Sequence, residues 1–154
     1  MAVFYSFHYE HDVNRVQLVK NIGAVEGQPL LNSQGWEQVR RGGDAAIEKW
    51  IDDQMKWKSA VIVLIGKETS TRPWVRYEIE KAWNAKKPLL GIYIHGLSSM
   101  GTVDSQGANP LSAHGIQPFN PTQTDVYGRI DSKATYNYLK DHLKTWSEQG
   151  RVRP

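Results

Sequence analysis

Ala60–Ile65, reading AVIVLI, is an unbroken apolar run and mostly β-branched. A run of that length without polar alternation suits a strand buried on both faces, as a central parallel strand is. It ends at Gly66, crosses a polar stretch over 67–72 and meets Pro73, a residue favoured at the first position of a helix. Trp74 and Glu78 follow four residues apart, so they share one face of that helix just beyond the strand end. A carboxylate beside a flat aromatic ring, at the carboxyl edge of a parallel sheet, suits a ligand that combines a ring with a sugar.

The rest of the chain alternates in the same way. Val3–Tyr9 (VFYSFHY) reads as a first strand, and Asp12 as the cap of a helix over Val13–Asn21 with Val16 and Val19 inward. Gly23–Ser33 reads as irregular, with Leu30-Leu31 the candidate for a short second strand, and Trp36–Gly43 as a loop. Asp44 caps a helix reaching to about Trp57, with Ile47, Trp50, Ile51, Gln54 and Met55 at helical spacing. Pro73–Lys86 is the next helix and Pro88–His95 (PLLGIYIH) another buried strand. Gly96–Gly128, rich in Gly, Ser, Asn and Pro, reads as mostly loop. A last helix starts at Asp131 or Ser132, with Thr135, Leu139, His142, Leu143 and Trp146 as its stripe.

This alternation predicts an α/β fold, a flavodoxin-like three-layer sandwich around a central, mainly parallel sheet of about five strands in the order 2-1-3-4-5. One domain is expected over 1–154, with a core over 1–95, a long loop region over 96–128 and a C-terminal helix over 131–148. The site is expected between strands one and three, at Ser6–Tyr9, Gly66–Arg72 and the start of the Trp74 helix.

Composition removes several classes. The 154 residues include no cysteine, so disulfide frameworks and thiolate zinc sites are excluded. The net charge of +3 is mild and basic residues sit near acids, so no nucleic-acid partner is expected. No basic segment followed by an apolar run marks a signal peptide, and the longest apolar run falls far short of the roughly 20 residues of a membrane span. A cytoplasmic protein without membrane contact is expected.

The strand ends narrow the chemistry. The third strand ends Leu64-Ile65-Gly66 without the aspartate of a phospho-accepting receiver. The loop after the first strand, Phe7–Asp12, is bulky and charged where a flavodoxin has small hydroxyl residues. G-x-G-x-x-G and G-x-S-x-G are absent, and Gly66-Lys67 lacks the rest of a P-loop. His8, His11 and Asp12 have metal-ligand chemistry, but at a strand end leading into a helix they are expected to diverge as surface residues, so no metal site is assigned. Glu78 is either an exposed helix carboxylate pairing with Lys81 or Arg76, or a group of the site. Trp74 is either core packing or a ring-binding surface. Glu80 is read as the surface carboxylate, four residues from Arg76.

Phe4-Tyr5-Ser6-Phe7, the capped second helix and Ser70-Thr71-Arg72-Pro73-Trp74-Val75-Arg76-Tyr77-Glu78-Ile79 after an apolar strand together resemble a TIR domain. The match falls on the Ser…Trp-x-x-x-Glu element of NAD-consuming TIR domains. FYSFHYEHDVNRVQLVKN, WVRYEIEKAW, GIYIHGL and GANPL resemble the TIR-like ThsB proteins of the bacterial Thoeris anti-phage system, over roughly residues 2–115. The resemblance implies a TIR-like fold and cleavage of the nicotinamide–ribose bond of NAD, which is substrate and not cofactor. It implies a cyclic ADP-ribose-type product acting as a diffusible signal on a ThsA-like effector, with a phage component as trigger. Glu78 falls on the family's catalytic glutamate and Trp74 on its aromatic partner. Ser6, Phe7 and His8 fall on the strand edge bordering the nicotinamide side. Gln34–Gly43 only loosely replaces the family's loop after strand two, so the resemblance assigns no adenine contacts.

The chemistry is coherent by itself. Nicotinamide leaves NAD as a neutral base without acid help, and the site must stabilise an oxocarbenium-like ribose, which one carboxylate can do. Two other readings share the fold: a TIR-like protein-interaction module without catalysis, and an N-glycoside enzyme acting on free nucleosides. The long 96–128 segment is expected to cover the pocket and exclude water.

Overall fold

The computed structural model describes residues 1–154. Three parallel strands, β1 (Val3–Ser6), β2 (Ala60–Ile65) and β3 (Leu89–Tyr93), lie side by side in that order. β1 pairs with β2 from Val3↔Ala60 to Ser6↔Val63, and β2 with β3 from Val61↔Leu89 to Ile65↔Tyr93. The helices are α1 (Tyr9–Asn21), α2 (Ser33–Arg41), α3 (Gly43–Met55), α4 (Pro73–Asn84) and α5 (Ser132–Ser147). None is long and apolar enough to cross a membrane.

All of β2 is buried because its alternate side chains enter two different layers. Ile62 and Leu64 pack with Val16 and Val19 of α1 and Leu139 and Leu143 of α5. Val61, Val63 and Ile65 pack with Ile47, Ile51 and Met55 of α3 and Val75 and Ile79 of α4. The unalternated sequence run is thus the middle of a helix–sheet–helix sandwich.

The sheet has three strands, not the expected five, and its order is β1-β2-β3. Leu30-Leu31 forms no strand. Its place beside β1 is taken by one parallel bridge, Ala2↔Glu26, and then by a side chain. The Tyr5 N–H donates to Gln28 Oε1 at 2.8 Å, and Gln28 Nε2 donates to the Tyr5 carbonyl at 2.8 Å. The Gln28 amide thus makes both bonds that a neighbouring strand would make. Pro29 follows it and has no N–H to continue a ladder. Beyond β3, single bridges from Phe119 and Arg151 occupy the other flank, and Pro118 and Pro121 bracket the first of these.

Helix limits differ from expectation at two places. α1 begins at Tyr9, one turn before the expected start, and Asp12 lies inside its first turn, fully buried, where it pairs with Arg15 at 3.2 Å. A carboxylate there also complements the positive end of the helix dipole. Residues expected as a loop from Trp36 form α2, capped by Asn32, whose side chain accepts from the Gly35 N–H at 2.7 Å. Gly42 and Gly43 then separate α2 from α3, with Gly43 at φ +78°. α5 begins as expected, with the Asp131 side chain accepting from the Ala134 N–H.

Gln28→Ala would leave the Tyr5 N–H and C=O buried without partners. It should cost about 2–4 kcal/mol of folding stability, read from urea unfolding. A cost within experimental scatter of zero would show that the amide is not needed as a strand substitute.

Candidate active site

Ser6 ends β1 and Glu78 lies in the second turn of α4. Parallel pairing of β1 with β2, followed by the short connection from β2 to α4, brings the two together at the carboxyl edge. Ser6 Oγ donates to Glu78 Oε1 at 2.7 Å. Ser6 is fully buried and Glu78 is 7% exposed. Pro73 at the start of α4 fixes the entry of the helix and hence the direction of its first turns.

Glu78 borders a cavity of about 450 Å³, within the range of small-molecule sites. Phe7, His8, Arg72, Pro73 and Trp74 line the cavity with it. Gln28–Leu31, Trp36 and Arg40 of α2, and Trp50 of α3 form the remaining walls. The aromatic rings are arranged in a row. Phe7–Tyr9, Tyr9–Trp36 and Trp36–Trp50 centroids are 6.1, 5.5 and 6.1 Å apart. Trp74 stands edge-on to Tyr77 at 5.5 Å. The Tyr9 hydroxyl donates to the Leu31 carbonyl, which ties the Gln28–Leu31 wall to α1. The Trp36 indole N–H and the Tyr5 hydroxyl are buried without a partner.

Burial without a nearby cation pushes the Glu78 carboxyl up to about 8, and the Ser6 hydrogen bond only partly opposes this. At pH 7 the carboxyl is therefore mostly neutral. Burial, and next the Arg72 guanidinium, lower the His8 imidazole below its usual range, with Glu10 and Asp12 opposing. Arg72 Nη1 lies 3.4 Å from His8 Nε2.

A second polar cluster lies at the same edge, under α1. His11 Nε2 is 2.7 Å from Asp104 Oδ2, and the ligand atoms of His11, Asp12 and Asp104 lie within 4.8 Å of one another. The expectation that His8, His11 and Asp12 diverge is corrected here: the His8 and His11 rings stack at 5.9 Å, and His11 and Asp12 converge. The reason is the early start of α1, which puts these residues on one helical turn. Arg15 Nη1 lies among the carboxylates, 3.2 Å from Asp12 and 3.1 Å from Asp104. Its other nitrogens donate to the carbonyls of Leu97 and Thr102, each at 2.9 Å. The cluster fastens the segment after β3 to α1. Gly66 and Gly107 allow this closure, since a Cβ at Gly66 would meet the Asp12 carboxylate and one at Gly107 the Gly66 carbonyl.

Ser6, Phe7, His8, Trp74 and Glu78, named from the sequence, all gather at this cavity, Ser6 through its bond to Glu78. The alternative of an exposed Glu78 paired with Lys81 or Arg76 is ruled out by its burial; Lys81 pairs with Asp52 at 3.0 Å. Glu80 is exposed but pairs with His114 at 2.8 Å instead of Arg76. The 96–128 segment contributes no residue to the cavity, which corrects its expected covering role. Gln28–Leu31 and α2 border the cavity instead, while Arg15 holds the later segment to α1 through Leu97, Thr102 and Asp104. Sequence reading missed Trp36, Arg40 and Trp50 as cavity residues, and it placed Arg72 at the site edge without giving it a role. Asn32 as a cap, with Trp36, Val39 and Arg40 at helical spacing, was the available signal for α2.

Fold and cavity together define an α/β protein with a half-open, aromatic-walled acid site at the carboxyl edge of its sheet. Residues 4–99 match the family described as Thoeris protein ThsB, TIR-like domain. A relative from Bacillus cereus (strain MSX-D12), bearing the name "Putative cyclic ADP-D-ribose synthase ThsB1", is 32% identical over 121 residues. That match takes in 75% of this chain but only 63% of the relative's length. The chain belongs to the ThsB TIR-like family.

The raised Glu78 carboxyl has a stability consequence. A group that holds its proton more tightly when folded stabilises the fold below its unfolded value of about 4.5, and that contribution is lost as pH rises through about 8. Glu78→Gln cannot ionise. The stability of Glu78→Gln relative to wild type should therefore increase between pH 5 and 9, by about 3–5 kcal/mol, in paired denaturant titrations. A difference independent of pH would mean that Glu78 is not held in this protonated state.

Proposed function

We propose that this protein cleaves the nicotinamide–ribose bond of NAD and converts the ADP-ribosyl part into a cyclic ADP-ribose-type signal. The supporting observation is a carboxyl group buried beside Ser6 at the floor of an aromatic cavity, with no protein cation paired to it. The family and the printed name of the Bacillus relative point the same way.

Glu78 is the catalytic residue in this reading. The pyridinium of bound NAD supplies the positive charge that the empty cavity lacks, so substrate favours the ionised carboxylate. As the glycosidic bond breaks, its electron pair goes to the nicotinamide nitrogen and positive charge develops on the ribose. Glu78 faces that charge in a site of low polarity, where the attraction is strong. Trp74 and Phe7 bind by their rings, and Ser6 fixes the carboxyl rotamer. His8, kept neutral, adds no competing positive charge. Glu78 then accepts the proton of the attacking nucleophile. Attack by an atom of the adenosine end closes the cyclic product, whereas attack by water gives linear ADP-ribose.

The product is a diffusible nucleotide that activates a ThsA-like effector in anti-phage defence within the cytoplasm, and a phage component releases the activity. An interaction module has no use for a buried, proton-holding carboxyl, and free nucleosides lack the cationic leaving group that complements it.

Turnover should fall by roughly two to three decades or more in Glu78→Gln, with folding retained. Glu80→Gln should behave nearly as wild type. The assay is mass spectrometry of nucleotides from infected cells expressing each variant, beside nicotinamide release by purified protein. Signal production surviving in folded Glu78→Gln, or activity on nucleosides but not NAD, would overturn the reading. For the active enzyme, kcat/KM should rise with pH and level off above about pH 8, as Glu78 ionises in the free enzyme. A flat profile from pH 6 to 9 would remove Glu78 as the titrating group.

A further inference from the structure

Arg72 is a half-buried guanidinium on the wall of a mainly apolar cavity, and no carboxylate lies within 4.0 Å of it. Its recorded side-chain partner is His8, at 3.4 Å. Across the same cavity rim stands Arg40, whose Nη1 is 3.4 Å from Glu10 Oε1 and 3.2 Å from Glu37 Oε1. Glu10 sits between the two arginine environments: its other oxygen, Oε2, is 3.5 Å from His8 Nε2. Both contacts are long, and the Glu10 side chain is 56% exposed, so they are weak and readily exchanged.

A guanidinium turned into a cavity without a counter-charge is an anion-binding group, and its planar fork matches phosphate oxygens. We propose that Arg72 and Arg40 form a diphosphate-binding rim, and that Glu10 is an internal carboxylate holding Arg40 until a diphosphate displaces it. The ligand class is a nucleoside diphosphate or a dinucleotide joined through one. This rests on the NAD reading and extends it. A diphosphate at the rim leaves one end of a dinucleotide at Glu78 and directs the other toward the Tyr9–Trp36–Trp50 row. There the ring faces of the row offer stacking surfaces to a base. The proposal involves binding only, with no bond made or broken.

The test is calorimetric titration of the full chain with ADP and, separately, adenosine, at low and moderate salt. ADP lacks the nicotinamide bond, so binding is read without turnover. ADP should bind about tenfold or more tightly than adenosine, an advantage that falls as salt rises. Arg72→Gln and Arg40→Gln should each weaken ADP by about ten- to a hundredfold while leaving adenosine unchanged. Arg72→Lys should recover part of the loss, and Glu10→Gln should tighten ADP several-fold. Thermal melting confirms that each variant is folded. Equal affinity for ADP and adenosine, absent ADP binding, or arginine variants with unaltered ADP affinity would each overturn the rim. The two readings fail separately. ADP binding as expected in a protein that never releases nicotinamide keeps the rim and removes NAD cleavage. Glu78-dependent cleavage with unaltered arginine variants does the reverse.

Discussion

The hydrogen bond from Ser6 to Glu78 is the interaction on which the site depends. It joins the last residue of β1 to the second turn of α4, two elements 72 residues apart in sequence. A carboxyl group in this cavity has almost no water to solvate it, and one hydroxyl donor does not replace a hydration shell. The group therefore keeps its proton up to about pH 8. Register and helix entry are the prerequisites: Ser6 pairs beside Val63 in the sheet, and Pro73 starts the helix that returns Glu78 over it. Displacing either would leave a buried polar group facing apolar side chains.

What the sequence disclosed follows from which signals are local. AVIVLI, the proline-started helix and the Trp74–Glu78 spacing are short-range patterns, and the elements they predicted are where the site forms. The number of strands was not legible in the same way. A strand place filled by one glutamine side chain leaves no alternating pattern, and Gln28 in an irregular stretch looks like any polar loop residue. α2 was obscured for a different reason. Gly35, Gly42 and Gly43 signal loop, while the Asn32 cap and the inward Trp36 favour helix, and packing against α3 decided the outcome. Arg40 was hidden, and Arg72 stood at the expected site edge without a role, because their significance is relational. Each is an ordinary surface arginine until the fold turns both toward one cavity.

The Arg15 cluster divides the carboxyl edge into two regions with different duties. On one side, a guanidinium bridges two carboxylates and fastens the segment after β3, with Asp12 Oδ2 left without a hydrogen-bond partner. On the other side, Glu78, Arg72, His8 Nδ1 and Trp36 Nε1 lack full partners. Unpartnered groups gathered in one cavity are costly to the fold, and they are where a ligand gains most by entering.

Gln28 has a dynamic consequence. A wall hydrogen-bonded through a continuous ladder would separate from β1 only as the sheet came apart. Here the Gln28–Leu31 wall hangs on one amide, one tyrosine hydroxyl and the ammonium of Lys20 on the Gln28 carbonyl. Releasing these contacts draws Leu30 off the margin of the core layer shared with α1 and α5, but need not disturb β2. The enclosure is thus a separately opening unit, with a breathing equilibrium set by a few side chains and not by the global stability of the domain. A bulky ligand can be admitted and released through this detachable flank while the strand that carries Ser6 stays rigid.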